Sequence, residues 1–102
     1  MAKLIAMYKT PADKAAFDRY YHATHVPIAK KVPGLRSYEI SRGPIVTPDG
    51  LAPYYLIATL SFDSVAAIQA ALGSPQGQAT AADLGRFATA GVDIYILDTT
   101  TI

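Results

Sequence analysis

Two histidines, His22 and His25, are the only imidazoles in the chain, and both lie in the segment FDRYYHATHVPIAKKVPG, residues 17–34. Imidazole is the side chain whose ordinary pKa lets it both take and give a proton near neutrality. His25 stands two places before Pro27. Proline has no N–H and its ring clashes with the carbonyl four residues back, so a helix running through this stretch must end or kink around residues 24–26. Thr24 is the expected cap of a short second turn from Pro27 to Lys31. Beside such a break, carbonyls lose their helical partners and a side chain can reach an interior cavity.

Phe17, Tyr20, Tyr21, Thr24 and Ile28 recur at intervals of three and four, the apolar stripe of an amphipathic helix. His25 falls on or next to that stripe, whereas His22 falls outside it and belongs to the surface. His25 is therefore the candidate general base or acid. The plainer alternative is a buried histidine that only satisfies the freed backbone groups.

A metal site is the competing chemistry. Asp18, His22 and His25 follow one another at i, i+4 and i+7, and two histidines with a carboxylate can hold non-haem iron. Seven helical residues, however, separate the outer pair by about 10 Å, too far to converge on one ion. No metal and no bound cofactor are expected. The chain has no cysteine, which removes thiolate metal sites, iron–sulfur chemistry, disulfides and a thiol nucleophile. Gly73 to Gly77, GSPQG, lacks the Gly-Lys-Ser/Thr element of a phosphate loop, and no serine triad is supported.

Tyrosine outnumbers phenylalanine by seven to three, and Tyr8, Tyr38, Tyr54, Tyr55 and Tyr95 come from all the expected strands. Buried tyrosines need partners for their hydroxyls, so several facing one space favour an aromatic-lined, partly polar pocket. Tyr8, Tyr21, Tyr38 and Phe87 are the candidate substrate-binding residues around His25, with Met7 as a further wall.

The elements that must position these groups can be read from pattern. Residues 3–9 form a short apolar run closed by Thr10-Pro11, a first strand. The helix that follows begins at Asp13 and stops at Pro33-Gly34. Residues 35–42 alternate as a strand, residues 43–53 hold two glycines and three prolines and read as a loop, and residues 54–62 are the clearest strand. Asp63 is the expected cap of a helix ended by Gly73, and Ser74-Pro75 restarts an alanine-rich helix toward Phe87. Gly91 releases a last strand over 92–98. The order is β-α-β-β-α-β: an α+β, ferredoxin-like domain with helices on one face of a four-stranded antiparallel sheet.

The first strand places Leu4, Ala6 and Tyr8 on one side and Ile5 and Met7 on the other. The third places Leu56, Ala58, Leu60 and Phe62 opposite Tyr55 and Ile57, and the last sets Val92, Ile94 and Ile96 against Tyr95 and Leu97. Helices cover one face only, and an antiparallel sheet whose second face met water would be polar there. A second copy packing through the sheet face, with two-fold symmetry, resolves this.

At 102 residues the chain is long enough for one domain, with 51% apolar and 17% charged residues. Its formal charge is +1, with no clustered basic surface of the kind nucleic acid demands. Residues 1–50 carry +4 and residues 51–102 carry −3. The amino terminus shows neither a signal-peptide core nor a membrane span, so the expectation is a cytoplasmic protein without a membrane or nucleic-acid partner.

The ordered set FDRYYHATHVPIAKKVPGLRSYEISRG, followed by YYLIATLSFDSVAAIQAALGSPQGQATAADLGRFA, resembles the EthD family over nearly the whole chain. The shared features are an aromatic-rich helix running into His-x-Pro, a lysine pair, a Pro-Gly-Leu turn, a Ser-Pro-x-Gly junction and an Asp-Leu-x-x-Phe near the end. The resemblance implies a dimeric α/β-barrel with a pocket inside each subunit, between helices and sheet. It places the family's recurrent histidine on His25, with Tyr38 and Arg36 in the strand after Pro-Gly-Leu as pocket residues. The wider superfamily includes cofactor-free monooxygenases, isomerases of muconolactones, polyketide cyclases and haem-degrading enzymes; the tryptophan used by one haem-degrading branch is missing here. The function implied is acid–base chemistry by His25 on a small apolar, aromatic or lactone-like metabolite in a catabolic setting. The alternative is a non-catalytic protein that binds such a metabolite or hands it on.

Overall fold

The computed structural model describes residues 1–102. Strand β1 (Ala2–Lys9) leads into helix α1 (Lys14–Tyr20), a π-helical turn (Tyr21–His25) and a short helix α2 (Val26–Ala29). Strand β2 (Ser37–Ile40), a small hairpin of β3 (Val46–Thr47) and β4 (Gly50–Leu51), and strand β5 (Tyr54–Phe62) follow. Helices α3 (Val65–Gly73) and α4 (Pro75–Phe87) and strand β6 (Val92–Asp98) complete the chain. The main sheet has the order β2-β5-β1-β6 with every neighbouring pair antiparallel. This is the expected ferredoxin-like arrangement; the β3–β4 hairpin within the 43–53 loop was not expected.

A Cα envelope of 34 × 34 × 17 Å is two layers thick, one of helices on one of sheet. The core lies between them. Ala2, Ala6 and Tyr8 of β1 and Leu56, Ala58, Leu60 and Phe62 of β5 are buried against Phe17, Tyr21, Ile68, Ala71 and Phe87. On the opposite side of the sheet Ile5 and Met7 are only half-buried, Tyr95 is 57% and Leu97 39% exposed. A single copy therefore leaves an apolar strip on that face. Met7 belongs to it, paired across the strands with Ile57 and Asp93, and takes no part in the helix-side pocket. Tyr55 leaves it, because the pairing register slips between Tyr8 and Lys9. The irregularity re-aims Tyr55, whose ring meets Phe17 edge-on at 5.5 Å.

Pro27 does not end the helix. The chain widens instead, with the Val26 N–H bonded to the Tyr21 carbonyl, five residues back, and Thr24 caps nothing. The buried residues of this stretch are Phe17, Tyr21, His25 and Ala29, a spacing of four throughout. In a uniform α-helix each step of four drifts by about 40° around the axis, which would carry Ala29 well off the face that Phe17 occupies. A π turn takes more residues per revolution and absorbs that drift. It holds Tyr21 and His25 one above the other on the inner face, their rings 5.4 Å apart.

Asp13 caps α1, accepting from the Ala16 N–H at 3.0 Å. Ser64, rather than Asp63, caps α3 through the Ala67 N–H. Ser74 caps α4 through the Gly77 N–H, with Pro75 in the first turn. Gly77 is obligatory at this corner, since a Cβ there would stand 1.9 Å from the Ala71 carbonyl oxygen. The tight corner folds α4 back across α2 and the π turn, which sets its Asp83 and Phe87 against His25. No helix is long and apolar enough to cross a membrane.

Candidate active site

His25 is buried, and its ring is held from two sides. Phe87 of α4 lies 4.7 Å from it between centroids, and Tyr21 lies on the other flank. Nδ1 stands 2.8 Å from Oδ2 of Asp83, which is itself buried. A carboxylate can only accept, so Nδ1 carries the proton and donates it to Asp83. The second Asp83 oxygen accepts from the Tyr20 hydroxyl at 2.6 Å, fixing the carboxylate's orientation. Nε2 makes no hydrogen bond within the protein.

His25 belongs to the wall of a cavity of about 170 Å³ between the helices and the sheet, and with Nδ1 turned to Asp83 its Nε2 edge is the one left for that cavity. Tyr8, Tyr38, Ala58 and Leu60 supply the sheet side, and Ile68, Ala71, Thr80 and Leu84 the helix side. Asp83 lies outside the lining, behind the imidazole. Burial lowers the His25 pKa from its ordinary 6.5, and the hydrogen bond to Asp83 offsets this only in part. The ring is thus neutral at pH 7, with Nδ1 protonated and Nε2 presenting a lone pair. A carboxylate behind a neutral imidazole orients it and stabilises the imidazolium formed when Nε2 takes a proton.

The tyrosines form a second polar element. The hydroxyls of Tyr21 and Tyr38 are 2.6 Å apart. Burial pushes the pKa of Tyr8, Tyr21 and Tyr38 upward, so all three hydroxyls stay protonated at neutral pH; one proton of the Tyr21–Tyr38 pair lies in their mutual hydrogen bond, and the other is left to donate. Edge-on and tilted contacts at 5.6–5.8 Å among Tyr8, Phe17, Tyr21 and Phe87 lock the rings in place.

His25, Tyr8 and Tyr38 therefore meet at one cavity, with Tyr21 and Phe87 as the packed residues that hold Tyr38 and His25. Arg36 does not join them. It precedes β2 at the sheet edge and forms a two-pronged ion pair with Asp63, its Nε 3.0 Å and Nη2 2.8 Å from the carboxylate oxygens. Alternation had set Arg36 on the face of Tyr38, yet the long side chain turns out to solvent toward the β5–α3 junction. His22 is exposed on the outer side of the π turn, where with Asp18 and Tyr55 it borders a separate open cleft beside the β3–β4 hairpin. Both Asp18 oxygens are engaged by the Tyr55 hydroxyl at 2.9 Å, and Asp18 and His22 do not converge with His25.

Asp83 is the site residue that sequence reasoning missed. Its signal was the Asp-Leu-x-x-Phe quoted above, where Asp83 and Phe87, four apart, share one helical face. A lone aspartate among alanines reads as a solvated helix residue until its neighbour across the fold is known.

The EthD domain model matches residues 9–91, which include the π turn, β2, β5 and α4. The chain belongs to the EthD family. An uncharacterized 11.0 kDa protein from the thcB–thcC intergenic region of Rhodococcus erythropolis is 37% identical over 103 residues, covering 100% of this chain and 98% of its own length. The crystal structure of an EthD family protein from Bacillus halodurans C-125 superposes with a TM-score of 0.89 at 35% identity, covering 98% of this chain and 99% of the other. At lower identity the fold alone is shared. SnoaB, a cofactor-independent oxygenase from Streptomyces nogalater, gives a TM-score of 0.67 at 14% identity over 99% of this chain and 94% of its own. A dimeric ferredoxin-like protein of unknown function from Jannaschia sp. CCS1 gives 0.67 at 21%, over 96% and 98%.

Proposed function

We propose that this EthD protein is an enzyme acting on a small apolar, aromatic or lactone-like metabolite, with His25 as general base and then general acid. The observation that carries this reading is the buried His25–Asp83 pair at the wall of an otherwise apolar cavity. A histidine kept only for packing needs no free nitrogen at a cavity and no oriented carboxylate behind it. Nε2 takes a proton from an acidic C–H or O–H of the substrate, Asp83 stabilises the imidazolium, and the hydroxyls of Tyr8 and Tyr38 steady the enolate or phenolate that develops. Return of the proton to another atom is an isomerisation; attack of the carbanion on a carbonyl of the same molecule, with the proton delivered to the alkoxide that results, is a cyclisation; reaction of the carbanion with dioxygen as the oxidant is an oxygenation. Each runs without a bound cofactor, and the shared fold of the cofactor-independent oxygenase is compatible with the last.

The working form is a homodimer joined through the apolar sheet face of Ile5, Met7, Ile57, Tyr95 and Leu97, in keeping with the dimeric ferredoxin-like neighbour. Sedimentation should give twice the 10.8 kDa of one chain; a lone 10.8 kDa species in dilute buffer contradicts the dimer. For the chemistry, the small molecule that co-purifies is identified by mass spectrometry and offered back to wild type and His25→Gln. Turnover falling at least a hundredfold with binding retained is the expected result. Undiminished turnover removes His25 from the mechanism, and binding without product by the wild type identifies a carrier.

A further inference from the structure

The same cavity restricts what can enter it by size, charge and hydrogen-bonding capacity, and the three restrictions are independent. Its volume is about 170 Å³; an apolar cavity of roughly 150 Å³ accepts benzene. One ring with one or two small substituents fills the space, and two fused rings exceed it.

None of the lining residues is charged. A carboxylate or ammonium group on the ligand would shed its hydration with no counter-ion to replace it. The nearest charge is that of Asp83, directly behind His25, and it repels an anion. The rim points the same way, with Leu72 and Ile94 as exposed apolar lining residues that give an oily entrance.

Hydrogen-bonding capacity then selects among neutral rings. Nε2 is an acceptor with no partner in the protein, and an acceptor covered by pure hydrocarbon loses its water without compensation. A ligand that brings an O–H donor to it, with the Tyr8 or Tyr38 hydroxyl free to reach the same oxygen, gives Nε2 the partner that the protein does not supply.

We infer that the site takes an uncharged, single-ring molecule bearing an acidic hydroxyl, with phenol as the simplest representative, and that it rejects ring carboxylates. The inference deepens the proposed function and rests on His25 being the base. In the step it implies, the substrate O–H bond breaks, the proton moves to Nε2, and the oxygen keeps the electron pair as a phenolate. The net charge of the complex does not change, because imidazolium and phenolate form together, and no oxidant is consumed.

Titration of the isotope-labelled protein near pH 7.5 with phenol, toluene, benzoate and 1-naphthol, followed by NMR, separates the possibilities. Phenol should shift the amides of Thr80 and Leu84 and the His25 ring saturably, and toluene should reach the same amides about tenfold more weakly, one hydrogen bond's worth. Benzoate and 1-naphthol should leave them unmoved. In His25→Gln the preference for phenol over toluene should contract to less than about threefold. Benzoate or naphthol binding as well as phenol overturns the charge or the size restriction while leaving His25 as the base. Phenol and toluene binding equally to the wild type, with the His25 ring undisturbed, overturns the inference and the role of His25 together.

Discussion

His25–Asp83 and Arg36–Asp63 are both 2.8 Å pairs between a nitrogen side chain and an aspartate, and they do opposite things. The side chains of the first are 4% exposed each, and those of the second 61% and 62%. Water and salt screen the exposed pair, so its two hydrogen bonds fix an edge of β2 without contributing much to stability. Inside the protein the same distance orients a ring, selects its tautomer and leaves one nitrogen for chemistry. Distance alone does not make a site; the surroundings decide whether a contact has consequences.

Variants can break this contrast at either end. The largest effect is expected from Asp83→Ala, which strips a buried imidazole N–H and the Tyr20 hydroxyl of their acceptor. A loss of about 3 kcal/mol in urea unfolding is anticipated, from the cost of orphaning buried partners; an unchanged midpoint would place Asp83 in solvent.

Acid should act next, and only on the buried pair. The folded-state pKa of His25 is lowered from 6.5, so below that value the unfolded chain binds a proton that the folded chain refuses. Stability contributed by the neutral ring is complete above pH 6.5 and declines as pH falls toward the folded pKa. Urea midpoints recorded between pH 8 and 5 should show this decline in wild type and less of it in His25→Gln. Tyr20, Tyr21 and Asp83 also face the ring, so the variant isolates the histidine's share.

Removing a cavity hydroxyl is a smaller change. Tyr38→Phe leaves Tyr21 without its partner and should cost about 1 kcal/mol, while weakening phenol more than toluene. The smallest effect belongs to Arg36→Ala, for which no resolvable shift in the urea midpoint is expected in 0.5 M salt. A large loss there would show that exposure is a poor guide to what an ion pair does in this fold.

Much of this architecture is legible in the residues. The strand at 54–62, the helix start at Asp13, and the Ser74-Pro75 restart are each readable because local chemistry determines them. The π turn was half legible: Pro27 announced an interruption, but only the four-residue spacing of Phe17, Tyr21, His25 and Ala29 shows that the helix widens instead of stopping. Arg36 misled because period-two alternation describes Cβ directions, and a four-bond side chain can bend away from its face toward a carboxylate 27 residues later. Asp83 was hidden for the converse reason. Its partner lies 58 residues back, and nothing local to α4 distinguishes a buried aspartate from a solvated one. Tyr55 changed faces because a register slip next to Lys9 is set by pairing between strands, which no single strand's pattern records.

The proposed chemistry depends on the protonation state of one ring. Long-range proton–nitrogen correlation spectra of the imidazole nitrogens at pH 7 report it directly. The expected spectrum has a protonated, pyrrole-like Nδ1 and an unprotonated, pyridine-like Nε2 for His25, with Nε2 moving when a phenol is added. An imidazolium signature, or a proton residing on Nε2 of the neutral ring, would mean that no base faces the cavity and would contradict the mechanism at its first step.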